Sequence, residues 1–193
     1  MSMKIEVELP TDRKKTGTLK LVSTTSGLVL FGPVAVLGRA ARNTAAANGN
    51  PNGDALLPFG DTPVGTYNVP AIVANGGSTS RPIAQYGQSG SIRLDPIGGD
   101  ALQAKKNGRT GLLIHAGRHA YSSVIDPKAL KPTNGCIRMR DWDLQLLIDA
   151  IRNNGLLFPG LLTVTVGPAG VQGDIDESVS DGDPPPLDGP VLP

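Results

Sequence analysis

Pro132-Thr133-Asn134-Gly135-Cys136-Ile137-Arg138-Met139 is the stretch on which the reading of this chain turns. It holds the only cysteine of the 193 residues. A glycine directly before Cys136 lets the backbone come close to a ligand, and an arginine follows two residues on. Working outward, the only two histidines lie upstream, in Leu113-Ile114-His115-Ala116-Gly117-Arg118-His119. A thiolate is a strong nucleophile, and a neighbouring imidazole can take the thiol proton and hold the resulting charge. The histidines precede the cysteine by 21 and 17 residues, so any contact between them is made by the fold and not by a local turn.

Two other readings of these residues stand beside catalysis. A lone cysteine is most often a small buried hydrophobe. Alternatively His115 and His119, four apart, could bind zinc with Cys136 as a third ligand. Such a pair needs one helix face, whereas Gly111 to His115 reads as a short buried strand and Gly117 breaks any helix after it. His119 then falls in a loop, and no metal or other cofactor is expected.

The length suits one domain with a sizeable core. With 25 Gly and 17 Pro against few aromatic residues, the chain is expected to be rich in turns and strands. One cysteine excludes an internal disulfide, so the redox compartment stays open. The start, Met1 to Pro10, alternates charged and apolar residues as a strand does, with no signal-peptide pattern. No stretch is long enough to span a membrane. The expectation is a soluble chain that begins in the cytoplasm, with export by a route reading no such signal left open.

Charge is unevenly spread. The segment from Val171 onward carries Asp174, Asp176, Glu177, Asp181, Asp183 and Asp188 with no Lys or Arg, which leaves 18 basic against 11 acidic side chains, or +7, for residues 1 to 170. The tail also holds Pro184-Pro185-Pro186 and few large apolar groups, so residues 168–193 read as an acidic, Pro-rich disordered tail after a domain spanning 1–167. A basic body suits a polyanion, but no aromatic-basic interleaving or nucleic-acid motif supports a nucleic-acid partner. The tail is a linker end, a segment folding back on the basic body, or a recognition element for a partner.

Thr18 to Val22 and Leu28 to Phe31 flank the polar Ser23 to Gly27, as hairpin strands do, and Val34 to Leu37 reads as a third strand. Arg39 to Gly60 reads as a long surface loop. Thr62-Pro63-Val64-Gly65 is a turn feeding a strand at Thr66 to Val69. Further strands are expected at Ile83 to Tyr86, Ser91 to Leu94, Gly111 to His115 and Leu161 to Val166. One helix stands out after Asp141, with Leu144, Leu147, Ile148 and Ile151 on one face, Asp141 or its neighbour as cap, and Asn153-Asn154-Gly155 as stop. The sum is a mainly β domain without an internal repeat.

Thr62-Pro63-Val64-Gly65-Thr66-Tyr67, Tyr86-Gly87, Ile114-His115-Ala116-Gly117 and Thr133-Asn134-Gly135-Cys136-Ile137-Arg138-Met139 follow one another in the order that resembles L,D-transpeptidase catalytic domains of the YkuD type, over roughly residues 17 to 167. The last motif is specific; the Thr62 turn is weak alone and gains from its position. The resemblance implies a β-sandwich-like domain with one or two short helices, and an acyl-enzyme on Cys136 acting on peptidoglycan stem peptides. It makes His115 the base, oriented by the backbone carbonyl of Ala116 or Gly117, with oxyanion donors among the N–H groups near Gly135 and Cys136. Arg138, Tyr86, His119, Thr133 and Asn134 are the residues expected to face substrate, Arg138 either by gripping a carboxylate or by supporting the site loop. The chain departs from the family in Ala116, where glycine is usual, and in Asn134, where many members have histidine.

The implied reaction cleaves the bond between diaminopimelate and D-alanine in a tetrapeptide stem. An amine acceptor then gives L,D-transpeptidation, and water gives L,D-carboxypeptidation. The alternatives are a cytoplasmic murein-recycling carboxypeptidase, a secreted antibacterial effector with a secretion carrier or immunity protein as partner, and a non-catalytic peptidoglycan-binding domain.

Overall fold

A computed structural model describes residues 2–117, 130–154 and 162–168. Alternation of apolar and polar residues builds the first sheet. In β1 (Met3–Leu9) the buried side chains are Met3, Ile5, Val7 and Leu9, and the intervening positions are half-exposed, the period-two pattern of a strand with one face on a core. On its outer face Glu6 accepts ion pairs from Lys4 at 2.6 Å and Lys20 at 3.0 Å, and these two lysines lower its pKa. β1 runs antiparallel to β2 (Gly17–Ser23), which pairs with β3 (Val29–Val36). The sheet continues on the other side of β1 through β10 (Leu162–Pro168), β4 (Gly65–Asn68) and β7 (Asp95–Gly98) in the order β3-β2-β1-β10-β4-β7. Only β1 and β10 are parallel in it.

The second sheet is smaller and carries the chemistry. Its order is β5 (Ile72–Val73), β6 (Ser91–Arg93), β8 (Leu113–His115), β9 (Ile137–Arg138), with β8 and β9 parallel. One apolar cluster joins the two sheets: Ile5, Leu19 and Tyr67 from the first, Ile92, Ile114 and Ile137 from the second, and Leu144, Leu147, Ile148 and Ile151 from a helix. The sheets also touch directly where the chain leaves β3. Leu37 and Arg138 exchange backbone bonds of 2.9 and 2.8 Å, and Ala41 N–H donates to Thr133 O at 2.7 Å. The strand end that bears the cysteine is thereby pinned to the larger sheet.

The mainly β architecture of two mixed sheets agrees with the sequence reading, and so does the helix. That helix, α4 (Asp141–Asn153), buries the four aliphatic residues expected to lie on one face. Arg140, the neighbour of Asp141, is the N-cap residue, and it provides no capping side chain. The Asp141 carboxylate accepts instead from Ser89 Oγ at 2.9 Å and from the N–H groups of Ser89 and Gln88 at 3.3 Å.

Other expectations are corrected. The two strands expected at Leu28 to Phe31 and Val34 to Leu37 merge into the single strand β3, which leaves Leu28 and Leu37 just outside it, because both segments pair with β2 across a register shift. The stretch from Arg39 to Gly60 contains a short helix, α1 (Arg42–Ala47). Ile83 to Tyr86 is a helical turn, α2 (Ile83–Tyr86), not a strand, since Tyr86 N–H and Gly87 N–H bond back to Pro82 and Ile83 at 3.0 and 2.8 Å. A third helix, α3 (Gly99–Lys106), packs against β4 and β7. The acidic tail lies outside the described residues, apart from Pro168 in β10. No helix among the described residues is long and apolar enough to cross a membrane.

Candidate active site

His115 ends β8, and Cys136 stands immediately before β9. In the parallel ladder His115 is opposite Arg138 and Ile114 opposite Ile137. Cys136 stands one residue before this ladder, and its Sγ lies beside the β8 backbone, receiving a hydrogen bond from the Leu113 backbone and approaching Gly111 O at 3.8 Å.

Local bonds fix both groups. The His115 ring is buried, and its Nδ1 lies 2.8 Å from Ala116 O. Because a carbonyl only accepts, Nδ1 carries the proton, and Nε2 of the neutral ring is left as an acceptor. Burial, and then the nearby Arg138 cation, lower the pKa of His115 to about 3, against the raising effect of the Ala116 bond. At neutral pH the ring is an uncharged base. The Tyr86 ring lies against it, with centroids 4.8 Å apart and planes at 44°.

Gly117 takes φ +85°, and a Cβ there would meet the Gln85 carbonyl group at 2.2–2.3 Å, so glycine is required for the chain to turn beside α2. Ala116 needs no such freedom: it is absent from the residues with positive φ, and its side chain is buried. The departure from the family's glycine therefore leaves the histidine-orienting carbonyl in place. Gly117 O serves another group, accepting from Arg138 Nη1. Arg138 is only 3% exposed, so of its two expected roles the observed contact is loop support.

Around the cysteine, Thr133 Oγ1 closes a tight turn by donating to Cys136 O at 2.9 Å and accepting from Gly135 N–H at 3.0 Å. The Gly135 N–H, expected to face an oxyanion, is thus engaged within the loop. Thr133 is buried and Asn134 exposed beside the half-buried Cys136. Burial raises the Cys136 thiol above its ordinary pKa, opposed by a backbone hydrogen bond from Leu113 and by the charges of Arg109 and Arg138. Sγ also lies 3.8 Å from Gly111 O. With the thiol raised and the imidazole lowered, the resting pair is neutral rather than a thiolate–imidazolium pair.

Of the residues named from sequence, His115, Ala116, Gly117, Tyr86, Thr133, Asn134, Gly135, Cys136 and Arg138 gather around the β8–β9 edge and the loops beside it. His119 lies outside the described residues. Sequence reasoning gave Arg109 no role. It is 3% exposed and binds the carbonyls of Ala55, Leu57, Gly60 and Gly135. In Asn107-Gly108-Arg109-Thr110-Gly111 it looks like any surface-turn arginine; only its burial gives it away.

No curated protein matches the chain. The model of the YkuD family, described as the L,D-transpeptidase catalytic domain, matches residues 14–171. That match takes in both sheets apart from β1, together with the His115 and Cys136 loops, and the chain belongs to this family of L,D-transpeptidase catalytic domains.

Proposed function

We propose that the protein is a cysteine acyl-transferase that opens the diaminopimelate–D-alanine bond of peptidoglycan tetrapeptide stems through a Cys136 thioester. The observation that carries this reading is the His115 ring, held by Ala116 O with no hydrogen-bond partner for its basic nitrogen among the described residues, at the end of the strand whose backbone the Cys136 sulfur lies against. From the neutral pair, Cys136 Sγ attacks the stem carbonyl carbon as its proton passes to His115 Nε2. Ala116 O, on Nδ1–H, steadies the imidazolium while it exists. Collapse of the tetrahedral species breaks the C–N bond and returns the proton to the departing D-alanine amine. His115 then takes a proton from the amine of a second stem or from water as either one attacks the thioester, and returns it to Cys136 Sγ as the C–S bond breaks.

Incubation with a disaccharide-tetrapeptide, followed by mass, tests the reading. Loss of one D-alanine marks carboxypeptidation, a cross-linked dimer marks transpeptidation, and an unchanged substrate overturns the proposal in favour of a binding module. Cys136→Ala is expected to abolish turnover while retaining affinity for the stem.

A further inference from the structure

The Thr62-Pro63-Val64-Gly65 turn has no part in the chemistry described so far. Thr62 is fully buried, its N–H donates to Gly38 O at 2.9 Å, and its Oγ1 donates to Gly135 O at 2.9 Å. Arg109 brings Nη2 to within 3.4 Å of that same oxygen while bonding Gly60 O at 2.6 Å. Gly135 itself, at φ +100°, has no room for a side chain, because a Cβ would stand 1.9 Å from Arg109 Nη2 and 2.2 Å from Gly60 O. In a trans peptide the carbonyl and the following N–H point in opposite directions. Two donors drawing the Gly135 carbonyl inward therefore turn the Cys136 N–H the other way. They also polarise the peptide, which strengthens that N–H as a donor.

We propose that Thr62, together with Arg109, is a positioning pair that aims the Cys136 N–H at the oxyanion formed when Cys136 is acylated. The inference rests on the nucleophile reading above, but not on the identity of the substrate. Gly135 N–H is tied to Thr133, so the Cys136 amide is the donor the loop can present. As the S–C bond forms, the carbonyl π pair moves onto oxygen, where this N–H meets it. Collapse restores the carbonyl and expels the leaving group.

The test compares two reagents that require the same thiol. A small aryl thioester acylates Cys136 through a tetrahedral oxyanion with release of the aryl thiol, whereas iodoacetamide alkylates it by displacement at a saturated carbon. Thr62→Val keeps the side chain's shape and removes its donor. It is expected to slow acylation about 10-fold, less than outright loss of an oxyanion donor, while alkylation stays within about twofold, and Thr62→Ser is expected to restore acylation. Arg109→Lys, which loses the fork that spans several carbonyls, gives an independent check with the same reagent split. Equal slowing toward both reagents, or unchanged acylation, overturns the proposal. A wild-type chain that reacts with the thioester but leaves the tetrapeptide untouched overturns the substrate reading alone, and a chain inert to both reagents overturns both.

Discussion

At the scale of single residues, the site is a pair of groups whose surroundings push them toward neutrality from both ends. Burial raises the Cys136 thiol and lowers the His115 imidazole. Alkylation of Cys136 by iodoacetamide is accordingly expected to climb through the alkaline range, above the ordinary thiol pKa of 9.0. An acid-side plateau near pH 5, followed by mass spectrometry, would instead reveal a preformed ion pair. His115 carries a second consequence through linkage. Between pH 6.5 and about 3 the unfolded chain binds a proton that the folded chain does not, so stability is present above this window and falls as pH drops through it. Replacing His115 with Asn removes that loss, and the wild type should give up about 1.4 kcal/mol more than the variant for each pH unit below about 6. Urea unfolding of both chains at pH 7, 6 and 5 measures the difference.

At the scale of elements, α4 ties the histidine loop to the core. Its buried face is aliphatic, and its first residue, Asp141, accepts three hydrogen bonds from Gln88 and Ser89. These two residues follow Tyr86, whose carbonyl receives the Ala116 N–H at 3.1 Å. Asp141→Ala leaves those donors without their acceptor and should cost about 1–3 kcal/mol. The neighbouring Trp142, 72% exposed, is expected to change stability by no more than about 0.5 kcal/mol on truncation to Ala, and midpoints of urea denaturation separate the two cases. The helix was legible because thirteen residues of 3.6-period pattern average out local ambiguity. Ile83 to Tyr86 was not, since four residues fit a strand or a turn of helix equally well. The short strands β5, β7 and β9 offer no periodicity, and exist because a neighbouring backbone is there to pair with them.

At the scale of the molecule, β1, the strand its alternation announced, takes a central place. It lies outside the matched family region, which begins at residue 14, yet it sits between β2 and β10 and bonds to both. Removing residues 2–10 would strip Met3, Ile5, Val7 and Leu9 from the core and sever the β2–β3 hairpin from the rest of its sheet. The truncated chain is expected to show no cooperative thermal transition by circular dichroism, and a native-like melt would show that β2 can join β10 directly. Sequence alone determined the β character, the long helix and the family motifs around His115 and Cys136, because alternation, periodicity and rare reactive residues are written in the order of the chain. Only the tertiary structure decided that Arg138 and Arg109 are buried among carbonyls, that Ala116 rather than Gly117 holds the histidine, and that Thr62 reaches the Gly135 carbonyl 73 residues away. The reason is physical: whether a polar side chain meets water or a backbone carbonyl depends on which distant segments fold against it, and nothing in its neighbours along the chain records that.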